Sequence, residues 1–148
     1  NRYYVHARRR LYMPIKMSLY VITLQGCPGC IRFKSKTEPE LVKRLKGKVK
    51  IIMVDKSEVD SLPDDIKSLT LTFFPTLIFK CMKDSTLSVF SGQIVNGRVE
   101  LEKKVDWTVD NIIKWICHSN MNGTSCIVCE FTPKGVTLIN NPLLDLLQ

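Results

Sequence analysis

Two cysteines two residues apart, Cys27-Pro28-Gly29-Cys30, stand between two segments of different character. Before them runs Leu19-Tyr20-Val21-Ile22-Thr23-Leu24, apolar and rich in β-branched and aromatic residues. After them Ile31-Arg32-Phe33-Lys34 opens a helix-like segment. A C-x-x-C at a strand-to-helix junction puts its first thiol beside the free amides and positive dipole end of a helix, which stabilise a thiolate. That thiolate is the nucleophile in disulfide exchange, and the second thiol resolves the mixed disulfide. Cys27 is then the attacking sulfur and Cys30 the resolving one. From the motif alone, a structural disulfide or half of a zinc site remain open.

The second constraint is Thr72-Phe73-Phe74-Pro75-Thr76-Leu77-Ile78-Phe79, where an apolar strand starts directly after a proline. Proline lacks a ladder N–H and belongs at the first residue or the edge of a strand. The bond before it is also the one peptide bond at which cis costs little. With Cys27 and Cys30 upstream, this pattern resembles the thioredoxin-like superfamily, and the resemblance covers about residues 17–119. It implies an α/β, three-layer fold with a central mixed four-stranded sheet and helices on both faces. It also implies a cis proline lying against the dithiol. The residues implied are Cys27 and Cys30 as catalytic thiols, and Phe74, Pro75 and Gly92 at the substrate. No cofactor is implied, and the partners would be protein thiols and disulfides. The Pro-Gly pair between the cysteines differs from the Gly-Pro of thioredoxins, the Pro-Tyr of glutaredoxins and the Gly-His of disulfide isomerases. Gln25-Gly26 stands where thioredoxins carry tryptophan, and the buried acid expected of thioredoxins is not evident.

Pattern and turn signals divide the chain into a basic arm over 1–16, a domain over 17–119 and an added hairpin with a short helix over 120–148. Within the domain, a strand over about 17–24 leads to a helix from Cys27 that Pro39 should bend, or divide into two, near Thr37. Thr37 and Glu40 read as a capping box. A second strand is expected at 49–54, after which Ser61-Leu62-Pro63-Asp64 gives a short capped helix through about Leu69. Strands at 76–80 and 87–90 follow, then a hairpin about Asn96-Gly97 within 93–104. Asp106 caps a final helix carrying Trp107, Ile112, Ile113 and Ile116 at helical spacing. Beyond it, 125–131 and 136–139 flank the turn Thr132-Pro133-Lys134-Gly135 and read as a β-hairpin. Asn141-Pro142 then starts a helix bearing Leu143, Leu144, Leu146 and Leu147.

The net charge of +8 is concentrated: residues 1–36 carry eight basic side chains and no acid, while the remainder balances. Such an arm, densest at Arg8-Arg9-Arg10, suits an acidic protein, an anionic membrane surface or nucleic acid. Nucleic acid is not favoured, because no recognised binding motif accompanies the arm. No apolar run is long enough to span a bilayer, and residues 1–16 lack the apolar core of a secretory signal. Cys126 and Cys129 form a second C-x-x-C that could join Cys27 and Cys30 in a four-cysteine zinc site. On a regular strand, though, Cys126 and Cys129 point to opposite faces. These two, with Cys81 and Cys117, otherwise read as independent core thiols.

Two functions compete. One is a thiol–disulfide oxidoreductase acting on proteins. The other is an interaction or structural protein of a larger assembly, engaged through the basic arm and Leu143–Leu147. Divergent members of the resembled superfamily occur in large DNA viruses, including within virions, so cytoplasmic or virion-associated locations are favoured over secretion.

Overall fold

The structure, a computed structural model, describes residue 15 and residues 17–83, 85–119 and 128–139. Apart from Ile15, the basic arm over 1–16 lies outside the described residues. So do Cys126 and the leucine-rich segment Leu143–Leu147.

The centre of the molecule is β1 (Met17–Thr23), every residue of which is buried. Side chains alternate along a strand. Met17, Leu19 and Val21 therefore enter one hydrophobic cluster, and Tyr20 and Ile22 the other. A strand covered on both faces needs a near-continuous apolar sequence, which this segment has. It pairs in parallel with β2 (Lys50–Asp55) and antiparallel with β4 (Thr76–Cys81). Outside β4 lies β5 (Leu87–Val89), giving a mixed four-stranded sheet in the order β2-β1-β4-β5.

Parallel neighbours need a crossover. Here it is helical: α1 (Pro28–Arg32), a π-helical turn (Phe33–Thr37) and α2 (Glu38–Leu45). The widened turn falls just before Pro39, whose ring would clash with a carbonyl one turn back and which has no N–H to offer it. It lies near Thr37, where the helix was expected to bend or divide. The expected capping box is not formed, because the helix runs on through Thr37 and leaves few amides there to cap. Thr37 is buried and its hydroxyl donates to the carbonyl of Trp107 at 2.9 Å.

One face of the sheet is covered by this crossover and by α4 (Val109–Ser119). Phe33, Leu41 and Leu45 meet Val109, Ile112, Ile113 and Ile116 over Leu19, Val21, Leu77 and Phe79. The first cap of α4 is Thr108, whose Oγ1 accepts the Asn111 N–H at 3.3 Å. The expected cap, Asp106, instead accepts the Asn111 side-chain amide at 3.1 Å. Trp107 consequently precedes the helix.

The other face is covered by a 3-10 turn (Lys56–Ser61), α3 (Asp64–Lys67) and a second, three-stranded sheet. That sheet joins β3 (Thr70–Leu71), which sequence patterning did not indicate, to β7 (Arg98–Leu101) in parallel; β6 (Gly92–Val95) pairs with β7 antiparallel. The β6–β7 hairpin turns at Asn96 and Gly97, with φ of 50° and 76°, the backbone that Asn-Gly adopts at least cost.

The C-terminal hairpin is β8 (Val128–Thr132) with β9 (Gly135–Ile139). Val136 and Leu138 are buried in the cluster beside α4. Arg44 ties α2 to both elements: it donates to Asp110 Oδ1 and to the Val136 carbonyl, each at 2.7 Å. Cys117 and Cys129 form a disulfide with Cα atoms 5.9 Å apart. Cys81 is disulfide-bonded as well. The expectation of independent core thiols is thereby corrected for all three. Cys129 pairs with the buried Leu138, so its side chain shares that face and meets α4, a register that strand alternation within β8 alone does not reveal. Among the described residues, no helix is long and apolar enough to cross a membrane.

Candidate functional site: the Cys27–Cys30 dithiol

β1 ends at Thr23, and a tight turn closed by the Cys27 N–H on the Leu24 carbonyl, at 3.1 Å, delivers Cys27 to the start of α1. Gly26 supplies the positive φ, +80°, that the turn requires. Cys27 is the N-cap, with extended backbone, and Pro28 opens the helix where a missing N–H costs nothing. The Cys27 sulfur takes the place of a capping oxygen and accepts the backbone N–H of Cys30 at 3.3 Å. It is partly exposed, whereas Cys30 is 2% exposed on the inner side of the same turn. The Leu24 N–H points at the Cys30 sulfur, 3.5 Å away.

These environments separate the two thiols. Burial pushes Cys27 up, but hydrogen bonds from the Cys30 thiol and from the Cys30 and Gly29 amides, with the Arg32 charge, together outweigh it, so Cys27 lies below the ordinary thiol value. Burial dominates at Cys30 and, with the hydrogen bond and negative charge of Cys27, pushes it up to about 11. The first sulfur is thus the more exposed and the more readily ionised, and the second the more firmly protonated. Arg32 and Lys34 are exposed. Arg32 nevertheless contributes to the Cys27 field and Lys34 to that of Cys30.

The loop before β4 brings Phe74 and Pro75 to the dithiol. The Phe74-Pro75 peptide bond is cis. The Cys27 thiol faces the Phe74 carbonyl at 3.7 Å. A Cβ placed on Gly29 would lie 3.8 Å from both the Phe74 oxygen and Pro75 Cδ, so the two loops are in van der Waals contact at the motif. Pro75 is buried and Phe74 half-buried, with the Lys56 ammonium 5.7 Å from the Phe74 ring centre. The Thr76 hydroxyl turns back to donate to the Phe73 carbonyl.

Gly92, expected at the substrate, is closely packed. Its missing Cβ would stand 2.6 Å from the Glu100 carbonyl oxygen and 3.0 Å from Val89 Cγ1. The next neighbour is Phe73 Cζ at 3.3 Å, from the loop that carries Phe74 and Pro75. The four-cysteine zinc set loses Cys129, whose sulfur is bonded to Cys117, and Cys126 lies outside the described residues.

Sequence reasoning missed three contributors. Leu24 and Ile31, 41% and 62% exposed, place apolar surface on either side of the motif. Asp55, at the end of β2, accepts the Ser57 amide and hydroxyl at 3.0 and 2.8 Å. Those bonds, with another from the Gln25 amide and the Lys34 charge, hold its carboxyl below the usual carboxylate range and brace the turn before Cys27. Asp-Lys-Ser is a recognisable Asx-turn sequence, but its bond to Gln25 exists only because β1 and β2 are neighbours. A cleft of about 420 Å³ flanks the motif, bounded by Gly29, Arg32, Lys36 and Trp107.

Comparison with protein-family models, with curated proteins and with solved structures found no match for this chain.

Proposed function

We propose that this chain is a thiol–disulfide oxidoreductase of thioredoxin-like architecture, acting on protein thiols and disulfides. The observation that carries the reading is the asymmetry of one turn of chain: a partly exposed, amide-capped Cys27 above a buried Cys30. The sheet order β2-β1-β4-β5, the helices on both of its faces and the approach of Phe74-Pro75 to Cys27 support it.

In the reducing direction, the Cys27 thiolate attacks one sulfur of a substrate disulfide. A Cys27–substrate disulfide forms, and the other substrate sulfur leaves as a thiolate that takes a proton from solvent. Cys30 then gives up its proton and attacks Cys27, releasing the second substrate thiolate. The substrate has gained two electrons, and the protein is left with a Cys27–Cys30 disulfide. Return to the dithiol needs an external dithiol reductant; the reverse sequence oxidises a substrate dithiol. Burial of Cys30 limits its reaction to the neighbouring sulfur; in the reverse sequence, the amides that cap the Cys27 thiolate favour its departure when the second substrate thiolate attacks the mixed disulfide.

The test is turnover of a disulfide-bonded peptide with dithiothreitol as regenerating reductant. Cys27→Ser abolishes turnover, and Cys30→Ser accumulates a covalent mixed disulfide visible by mass spectrometry. Wild-type turnover that survives Cys27→Ser, or no turnover at all, refutes the proposal and returns the chain to the interaction-protein reading.

A further inference from the structure

A second cleft, of about 490 Å³, opens between α4 and the segment that follows β7. No residue of the dithiol motif lines it. Its rim is basic: Lys103 and Lys104 come from the segment after β7, and Lys114 and His118 stand one turn apart on α4. None of these three lysines is ion-paired to a carboxylate among the described residues. Lys114 lies in the field of Asp110 without bonding to it. The single acid in the lining, Asp106, is engaged by the Asn111 amide. Three ammonium groups gathered round one concavity repel one another, and an anion seated among them would relieve that repulsion.

The floor is rigid and aromatic. Trp115 is half-buried, its indole N–H donates to Ser88 Oγ at 2.8 Å, and its ring packs 5.4 Å from that of the buried Phe90. The basic segment is anchored too: the Glu102 amide donates to the Ser91 carbonyl at 2.8 Å and the Lys103 amide to the same oxygen at 3.4 Å. A site formed before its ligand arrives loses little entropy on binding. The volume falls within the range of small-ligand sites. Asp106, within the lining, and Asp110, in the field of Lys114, set negative charge beside the lysines, which favours a compact anion over a long polyanion tracking across the surface.

We propose that this cleft binds a small phosphate-bearing molecule, its phosphates among Lys103, Lys104 and Lys114 and any flat ring against Trp115. The site is independent of the dithiol chemistry. Lysine is a flexible point charge suited to phosphate oxygens, and the indole face gives a flat ring an apolar platform.

The test is equilibrium dialysis of the full chain at low salt against two probes, pyrophosphate and ADP. Saturable binding at one site is expected for at least one of them. Lys103→Glu with Lys114→Glu should weaken it by about tenfold or more, whereas Lys43→Glu with Lys46→Glu, the same charge change at exposed positions in the last turn of α2 and just after it, should leave it near wild type. Equal affinity for the two probes assigns the binding to phosphate alone. Tighter ADP binding brings in the ring, and is then accompanied by a change in tryptophan emission that Trp115→Phe removes. If the double variant fails to fold, Lys104→Met reads the same loss. Absence of saturable binding, equal weakening by both charge-changed pairs, or an oligonucleotide or acidic peptide that outcompetes both probes overturns the proposal.

Discussion

Replacing Cys117 and Cys129 together by alanine isolates what the disulfide contributes. The bond closes a loop with a sequence separation of 12 residues. Closing such a loop removes roughly 9–10 cal/mol/K from the unfolded chain, which corresponds to about 3 kcal/mol at 25 °C. Cys117 is 1% exposed within the core of α4, so loss of its sulfur adds a small packing cost in the same direction. For a domain of this size the sum corresponds to a fall in melting temperature of roughly 6–12 °C. Alanine is the right substitute, because serine would bury a hydroxyl and confound the comparison. The assay is thermal unfolding followed by circular dichroism, without reductant, since Cys81 is disulfide-bonded as well. Hydrogen exchange on the same samples should show β8 and β9 losing protection first, because the covalent tie to α4 is lost while Arg44 and the side chains of Val136 and Leu138 remain. A double variant that melts with the wild type would refute the reasoning: the hairpin would already be ordered on α4 in the unfolded reference, or would not depend on the bond.

The dithiol, Gly92 and Arg44 give further tests. Iodoacetamide should modify Cys27 before Cys30, with a rate that rises with pH and levels off below the pH typical of a free thiol; quantitative mass spectrometry of the two sites checks this, and faster labelling of Cys30 would contradict it. Gly92→Ala should cost about 1–3 kcal/mol in urea unfolding, since its Cβ would press on a backbone oxygen that the β6–β7 pairing holds in place. Asp110 is held below its ordinary value by the Arg44 hydrogen bond first and the Arg44 charge second. Its contribution is therefore present above the unfolded carboxylate value and is lost as pH falls through the lower folded one. Asp110→Asn should lower stability at neutral pH and flatten the acid limb of the stability profile, and a variant with an unchanged profile would show that the pair contributes nothing.

Short-range sequence rules fixed much of this molecule. β1 was legible because burial on both faces demands an uninterrupted apolar run, and Pro39 announced the irregular turn in the crossover helix because no proline fits an undisturbed helical turn. Asn96-Gly97 announced its hairpin because few residues accept two successive positive φ angles. The C-terminal hairpin was legible from its turn residues, and Cys27-Pro28-Gly29-Cys30 from the local chemistry of a helix N-terminus. The tertiary structure alone decided the relations between distant segments. It gave Thr37 to the Trp107 carbonyl instead of a helix cap, and it moved the start of the last helix from Asp106 to Thr108. It packed Gly92 closely against the Glu100 carbonyl. It joined Cys117 to Cys129, because the facing direction of a strand residue depends on its partner strand and on what lies over that face. The same holds for the thiols themselves: sequence names a dithiol, while the depth of Cys30 and the exposure of Cys27, which set their ionisation apart, follow from how the first turn of α1 sits against the loop at Phe74 and Pro75. A turn or a bend is settled by the sterics of a few adjacent residues, whereas burial, partner and field are sums over neighbours that the chain brings together only when folded.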